Sequence, residues 1–316
     1  MTKVVITGGA GFIGSHIVDR FVMDADTEVT IFDKMTYAAD YRNIASHIEN
    51  NRVALIVGDI CDEVAVWKAL EGADIVIHAA AESHVDHSFN NSALFTKTNV
   101  LGTHTLLEAA RQLNVRRFVQ ISTDEVYGEV LSGEADEDYP LSPTNPYSAS
   151  KAAAEMIACG YITSFRMPIV MIRANNVYGI RQFPEKLIPR SIIEIIKGGY
   201  IPVHGSGRNR RHYLLAQEAA EAIYFIAYHG VTFETYNIGS VEEFENIDVI
   251  GKICRVMDIN VDDVVKFVED RPFNDRRYAI NAQKLEKLGF QPSVTFDVEL
   301  PKIIDWYRLN SERYFN

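Results

Sequence analysis

The run Thr7-Gly8-Gly9-Ala10-Gly11-Phe12-Ile13-Gly14 constrains the fold of this chain more than any other stretch. It follows a short β-rich segment and opens an amphipathic helical pattern, with glycines at 8, 11 and 14 in GxxGxxG spacing. Without Cβ atoms, Gly8 and Gly11 let the backbone turn tightly and approach a pyrophosphate, and Gly14 lets the helix pack close to a sheet. Strand-like runs at 4–7, 28–32, 53–57, 75–78, 118–122 and 169–172 alternate with helical stretches. Such alternation predicts an α/β fold, a Rossmann-type doubly wound parallel sheet with helices on both faces. Ligands on such sheets bind at the carboxyl ends of the strands, near the switch in strand order. Thr7, Asp33, Asp59, Ala79 and Ser122 all fall at such ends.

After about residue 180 the rhythm loosens, with loop signals at Phe183-Pro184-Glu185-Lys186 and Gly205-Ser206-Gly207. A helix is expected over 216–228 and a strand over 235–238. Residues 1–180 are expected to form the dinucleotide-binding domain, with parts of 212–240 returning to it. Residues 181–316 would mainly form a smaller, discontinuous region that covers the cleft and binds substrate.

Asp33 ends the second strand, where a carboxylate accepts hydrogen bonds from ribose hydroxyls and repels a 2′-phosphate, so NAD is the expected cofactor. Asp59 and Ile60 end the third strand, where an adenine ring would lie. Ala79, Ala80 and Ala81 end the fourth, and their small side chains would let a cofactor pass over the sheet.

Tyr147 and Lys151 stand four residues apart at the start of a helical stretch after Pro146, so their side chains share a face. An ammonium near a tyrosine lowers its pKa from about 10 and makes a phenolate base accessible. Asp124 and Glu125 follow Ser122 and Thr123 where the fifth strand should break into a loop, and there the two carboxyls can converge on one substrate. The four groups together suit an enzyme that oxidises an alcohol and also eliminates water.

The charge balance excludes some partners. A net charge of −12 with no basic stripe argues against nucleic acid. Cys61, Cys159 and Cys254 are far apart and form no CxxC, so neither a disulfide framework nor a metal site is indicated. The first residues show no charged-then-apolar signal pattern, and no stretch is apolar for long enough to span a bilayer. A cytoplasmic protein without membrane contact is expected.

These motifs resemble the extended short-chain dehydrogenases/reductases, and specifically the nucleotide-sugar 4,6-dehydratases of the dTDP-glucose 4,6-dehydratase type. The superfamily marks are TGGAGFIGSH and Tyr147-Ser148-Ala149-Ser150-Lys151. More specific are Asp33-Lys34-Met35-Thr36-Tyr37-Ala38, Ala80-Ala81-Glu82-Ser83-His84-Val85-Asp86, Ser122-Thr123-Asp124-Glu125-Val126-Tyr127-Gly128 and the runs at 183–189 and 270–278. The resemblance covers nearly the whole chain. It implies NAD held by Gly8, Gly11, Phe12, Ile13, Gly14, Asp33, Lys34, Thr36, Asp59, Ile60, Ala79, Ala80, Ala81, Thr98, Ser122, Tyr147 and Lys151. It implies that Tyr147 deprotonates the C4 hydroxyl of an NDP-hexose while Thr123 hydrogen-bonds the C4 oxygen. Glu125 then removes the C5 proton, and protonated Asp124 donates to the leaving C6 hydroxyl. The product is a 4-keto-6-deoxy sugar, most simply from dTDP-glucose.

The resemblance also implies substrate contacts. Ser83, His84 and Asp86 would lie near the sugar with Asn176, and Glu185, Lys186 and Leu187 over the phosphates. Arg211, Asn237, Arg271 and Asn274 would surround the pyrophosphate and base. One stretch departs: the family's usual Arg-Asp-Trp-Leu-Tyr-Val-Glu-Asp is here Arg211-His212-Tyr213-Leu214-Leu215-Ala216-Gln217-Glu218, and His204 replaces a frequent Tyr near the base. That leaves UDP-glucose or UDP-GlcNAc open as substrates. An epimerase or decarboxylase on the same scaffold would lack the pair at 124–125, and a non-catalytic dinucleotide sensor would tend to lose Tyr147 or Lys151.

A homodimer is expected from the helical stretches 93–112 and 147–165. Leu94, Leu101, Leu106, Met156, Ile157, Tyr161 and Ile162 exceed what is needed to face the sheet, and related enzymes pair such helices into a four-helix bundle.

Overall fold

The computed structural model describes residues 1–270 and 273–315. The chain begins with β1 (Thr2–Thr7), α1 (Phe12–Val22), β2 (Thr27–Asp33), α2 (Ala45–Glu49) and β3 (Val53–Val57). It continues with α3 (Glu63–Leu70), β4 (Ile75–His78), α4 (Val85–Asn90) and α5 (Ser92–Phe95). A π-helical turn (Thr96–Gly102) leads into α6 (Thr103–Gln112) and β5 (Arg117–Thr123). A 3-10 turn (Asp124–Tyr127) precedes α7 (Pro146–Phe165), β6 (Ile169–Ala174) and β7 (Asn176–Tyr178). Then come α8 (Leu187–Ile196), β8 (Ile201–His204), β9 (Arg210–Leu215), α9 (Ala216–His229) and β10 (Thr235–Ile238). The last elements are β11 (Glu243–Glu245), α10 (Asn246–Met257), α11 (Val261–Val264), β12 (Val265–Val268), α12 (Gln283–Leu288) and α13 (Phe296–Leu309).

Seven strands form one parallel sheet in the order β10-β6-β5-β4-β1-β2-β3. All six strands expected before residue 180 are present, each extended by at most two residues at an end. The helix and strand expected near 216–238 are α9 and β10. Both faces of the sheet are covered, which is why its strands read as near-continuous apolar runs. Ile17, Val18 and Phe21 of α1 pack with Ala219, Ile223 and Ile226 of α9 over one face. Val66, Leu106, Leu107, Ala158 and Tyr161 from α3, α6 and α7 cover the other. A separate apolar cluster joins Ile188 and Ile192 of α8, Ile253 of α10, and Phe296, Leu300 and Ile304 of α13.

Strand order reverses between β1 and β4, so the crevice lies over their carboxyl ends. Beside it stands a three-stranded sheet, β11-β9-β7, and beyond that the pair β12-β8. The chain crosses into that smaller unit at β7, returns for α9 and β10, and leaves again at β11.

Two expectations differ. The stretch 93–112 is not one α-helix. Its middle turn is wound more widely, a device that periodicity in the sequence cannot register and that re-aims side chains. Of the apolar residues assigned to a dimer face, Leu106 and Tyr161 are buried inside the subunit, whereas Leu101 and Met156 are about half exposed at 50% and 54%. No helix among the described residues is long and apolar enough to cross a membrane.

Candidate active site

The glycine turn is shaped by close approach. Gly8 has φ +72°, and a Cβ there would lie 2.8 Å from the backbone of Ala80. A Cβ on Gly14 would lie 1.9 Å from the carbonyl oxygen of Gly8, so only glycine lets α1 start this close to the turn. Asp33 is buried beside it, accepting the N–H of Ala10 at 2.9 Å and of Met35 at 2.8 Å on different oxygens. Each oxygen keeps a lone pair for a ribose hydroxyl. Burial pushes the Asp33 carboxyl up, against those two N–H groups.

Lys34 and Asp59 pair at 2.8 Å on the rim, and Ile60 is buried behind Asp59. Thr36 lies past the end of β2, Phe12 and Ile13 open α1, and Thr98 sits in the π turn. In that turn Asn99 exchanges hydrogen bonds with the backbone of Glu82, fixing the segment that follows Ala79, Ala80 and Ala81. The Ser122 hydroxyl is buried without a partner among the described residues. A glycine cradle at the start of α1, a buried carboxylate at the end of β2 and a buried hydroxyl at the end of β5 together fit a dinucleotide.

The acid/base turn grows directly from β5. Thr123 caps the 3-10 turn, its Oγ1 accepting the N–H of Glu125 at 3.3 Å. The turn replaces the loop expected here, and it still sends Asp124 and Glu125 to neighbouring positions. Gly128 closes it at φ +74°, where a Cβ would lie 2.2 Å from the carbonyl oxygen of Ser142. Asp124 is 2% exposed and accepts Asn175 Nδ2 on Oδ2 at 2.8 Å. Burial raises its pKa to about 7, opposed by the Asn175 bond and by Arg211, and reinforced by Glu125. Burial also pushes Glu125 up, but the Lys186 and Arg211 cations and Asn145 work against it. Asn145 Nδ2 donates to Glu125 Oε2 at 3.3 Å.

Asn145 also caps α7 and Pro146 fills its first turn, which places Tyr147 and Lys151 on the face toward β5. Lys151 Nζ donates to the carbonyl of Ile121 at 2.7 Å, and burial lowers its pKa to about 8. The expected effect of Lys151 on Tyr147 does not appear. Burial and the charges of Glu125 and Asp124 hold the phenol well above its ordinary value, and a hydrogen bond with Thr123 only partly offsets them. The charges acting on this hydroxyl are those of Glu125 and Asp124, and the ammonium is turned to a backbone carbonyl.

The residues expected to contact substrate are placed unevenly. His84 Nδ1 lies 3.8 Å from Glu185 and Nε2 lies 3.8 Å from Asp86, with the His87 ring centroid 4.2 Å from that of His84. Lys186 Nζ reaches the carbonyl of Ser83 at 2.9 Å, so the 83–86 and 183–187 loops meet, and Leu187 opens α8. Arg211 lies over the Tyr278 ring at 4.3 Å and donates to the carbonyl of Asp275 at 2.9 Å. Asn176 is half-buried at the start of β7. His204 ends β8, near the carbonyl of Glu269 at 3.2 Å, and Asn274 donates to Asp270 at 2.8 Å. Arg271 lies outside the described residues.

Asn237 is a correction. It is 0% exposed in β10, its Nδ2 donates to the carbonyls of Ala135 and Asn281, and its Oδ1 accepts from Tyr127. With every side-chain polar atom engaged inside the protein, it braces the sheet edge and is not offered to a ligand.

Three site residues escaped sequence reasoning: Asn145 and Tyr278 beside Glu125, and Asn175 beside Asp124. Asn145 had a readable signal, a capping Asn before Pro, but its second bond to Glu125 depends on tertiary placement.

The family model described as GDP-mannose 4,6 dehydratase matches residues 5–302. A trifunctional UDP-glucose 4,6-dehydratase/UDP-4-keto-6-deoxy-D-glucose 3,5-epimerase/UDP-4-keto-L-rhamnose-reductase of Arabidopsis thaliana is 42% identical over 98% of this chain and 48% of its own length. The chain thus spans about half the length of that relative. A dTDP-glucose 4,6-dehydratase of Neisseria gonorrhoeae is 39% identical over 99% of this chain and 98% of its own. The crystal structure of DesIV, a dTDP-glucose 4,6-dehydratase of Streptomyces venezuelae with NAD and TYD bound, superposes with a TM-score of 0.96 at 37% identity, covering 99% of both chains. With that coverage and the cradle and acid/base turn in place, the chain belongs to the GDP-mannose 4,6 dehydratase family.

Proposed function

We propose that this protein is a hydro-lyase that converts a nucleotide-activated hexose, dTDP-glucose first, to its 4-keto-6-deoxy derivative with NAD as cofactor. The observation that carries the reading is the turn after β5, where two adjacent carboxyls sit in different electrostatic settings. Asp124 is closed off, with a pKa raised to about 7, so it can hold a proton at neutral pH. Burial pushes Glu125 up as well, but the cations of Lys186 and Arg211 work against that and favour its charged form. An acid and a base side by side can remove a proton from one carbon and protonate the hydroxyl leaving the next.

NAD bound on Gly8, Gly11, Gly14 and Asp33 would supply reversible two-electron oxidation at C4 and reduction at C6, together with a cationic ring. Tyr147 would take the proton of the C4 hydroxyl once the cationic ring of bound NAD offsets the burial and the carboxyl charges that hold its phenol up, and Thr123 would hydrogen-bond that oxygen. The C4 ketone acidifies the C5 proton. Glu125 accepts that proton, Asp124 delivers one to the C6 hydroxyl, and water leaves with no net change of oxidation state in the sugar nucleotide. Lys151, fixed on the carbonyl of Ile121, keeps a cation behind Tyr147 near the expected nicotinamide ribose.

The 42% identity to a protein named as a UDP-glucose 4,6-dehydratase supports UDP-glucose as a second substrate reading. Incubation with dTDP-, UDP- and GDP-hexoses, followed by the alkaline absorbance of 4-keto sugars, tests both. Turnover of dTDP-glucose is expected to be fastest, and no 4-keto product from any of the three would refute the reading.

We also propose a cytoplasmic homodimer. An apolar groove between Ala93, Val100, Leu101 and Ile157, with exposed Met156 and Phe165 nearby, supports pairing of helices from two copies. A monomer in light scattering at micromolar concentration would rule this out.

A further inference from the structure

We infer that Asn175 is a positioning residue for Asp124: it holds Oδ2 of that carboxyl as an acceptor and leaves Oδ1, on the Thr123 side, as the oxygen that carries the proton. This rests on the acid role proposed above for Asp124.

Asn175 joins β6 to β7 and is 3% exposed. Its own N–H donates to the carbonyl of Ile238 at 3.0 Å, and its Oδ1 accepts the N–H of Ser240 at 3.2 Å. A backbone N–H can only donate, so the amide oxygen must face Ser240 and the amide nitrogen must face Asp124. Gly239 lets the chain pass this closely, since a Cβ there would lie 2.9 Å from Asn175 Oδ1. The amide is therefore locked from behind, and Nδ2 meets Asp124 Oδ2 at 2.8 Å. In a neutral carboxyl the oxygen that accepts an N–H is the carbonyl oxygen, and the hydroxyl is the other one. That other oxygen, Oδ1, accepts the Thr123 hydroxyl at 3.2 Å when the carboxyl is ionised, and a hydroxyl, unlike the locked amide, can turn to accept instead when the carboxyl is neutral. The proton thus faces the side where Thr123 and Tyr147 converge.

The same bond tunes ionisation. An N–H given to a carboxylate favours the anion, so Asn175 keeps Asp124 below the value that burial alone would set. The other charged and titratable groups facing this carboxyl are Glu125 on the same turn, Tyr147 from α7 and Arg211 from β9. Lys186 and Asp275 act on Glu125.

The test is a carboxyl-carbon NMR titration of the full chain, with the Asp124 signal identified by its loss in Asp124→Asn. In Asn175→Leu the midpoint should move to higher pH by about one to two units, and the alkaline decline of product formation should move with it. The variant should lower kcat while leaving KM little changed, because substrate is not touched. Asn175→Ala adds no volume and gives the same readout if Asn175→Leu does not fold. An Asp124 midpoint unmoved in the folded variant would overturn the inference. If the midpoint moves but Asp124→Asn keeps the alkaline decline, the coupling stands and the acid role of Asp124 is what fails.

Discussion

Arg173 holds Glu155 through two nitrogens, with Nη2 2.7 Å from Oε2 and Nε 3.1 Å from the same oxygen, while both side chains are almost wholly removed from solvent. The remaining nitrogen, Nη1, donates to the Tyr127 hydroxyl at 2.7 Å and to the carbonyl of Glu137 at 3.0 Å. Tyr127 ends the turn that carries Asp124 and Glu125, and Glu155 lies one helical turn beyond Lys151. The pair therefore ties the helix of Tyr147 to the acid/base turn.

Breaking a buried pair from one side strands a charge, which costs about 3–5 kcal/mol. Glu155→Gln and Arg173→Met are each expected to lose stability on that scale in urea unfolding. The double variant Glu155→Leu with Arg173→Met should lose less than either single change, because no charge is left behind. Single variants within about 1 kcal/mol of the parent would show that the pair is not a brace.

Asp33 should set the cofactor preference. Its carboxylate already holds the turn through Ala10 and Met35, and it would repel a 2′-phosphate. Calorimetry should show tight NAD binding and weak NADP binding, and Asp33→Asn should narrow that gap while weakening NAD. Equal affinity of the unaltered protein for both would count against this role.

Asp124 should make the protein less stable at alkaline pH. Its folded pKa, about 7, lies above the ordinary 3.8, so the folded state binds the proton more tightly and stability falls as pH rises from about 4 through 7. Asp124→Asn should therefore be more stable than the parent at pH ~8, by about 1–4 kcal/mol. That gain should vanish below about pH 4, where both folded and unfolded Asp are neutral. A constant difference across this range, read from urea midpoints, would contradict the raised pKa.

Base selection should reside near His204 and the turn at 205–210, not at Arg211, whose guanidinium is turned toward Tyr278 and the 275 carbonyl. His204→Tyr should change the ratio of dTDP- to UDP-sugar turnover more than the overall rate. A thymine methyl is worth only about 1 kcal/mol in an apolar contact, so the ratio should stay within about tenfold. Competition kinetics measure it, and an unchanged ratio would place the base elsewhere.

The sheet was readable because each strand is an apolar run closed by a turn signal, and Gly8, Gly11 and Gly14 leave few alternatives at β1. The positions of Asp124, Glu125, Tyr147 and Lys151 were readable for a related reason: they stand at a strand end and a helix start, where local sequence dictates position. What was not readable depends on partners far along the chain. Asn237 looked like a ligand contact until its bonds to residues at 127, 135 and 281 were in place. Asn175 carries no local signal, because only the fold brings Ser240 behind it and Asp124 before it. The direction of the Tyr147 shift likewise follows from where Lys151 Nζ points, which a four-residue spacing does not determine.

The division of labour between Tyr147 and the two carboxyls is tested most directly by one absorbance measurement. The double variant Asp124→Asn with Glu125→Gln is mixed with dTDP-glucose, and bound NADH and released product are followed together. Oxidation at C4 should proceed and elimination should stop, so NADH should accumulate to about one per active site with no 4-keto-6-deoxy sugar released, whereas Tyr147→Phe should form neither. Release of the 4-keto-6-deoxy product by the double variant at the parent rate would contradict the assignment of Asp124 and Glu125.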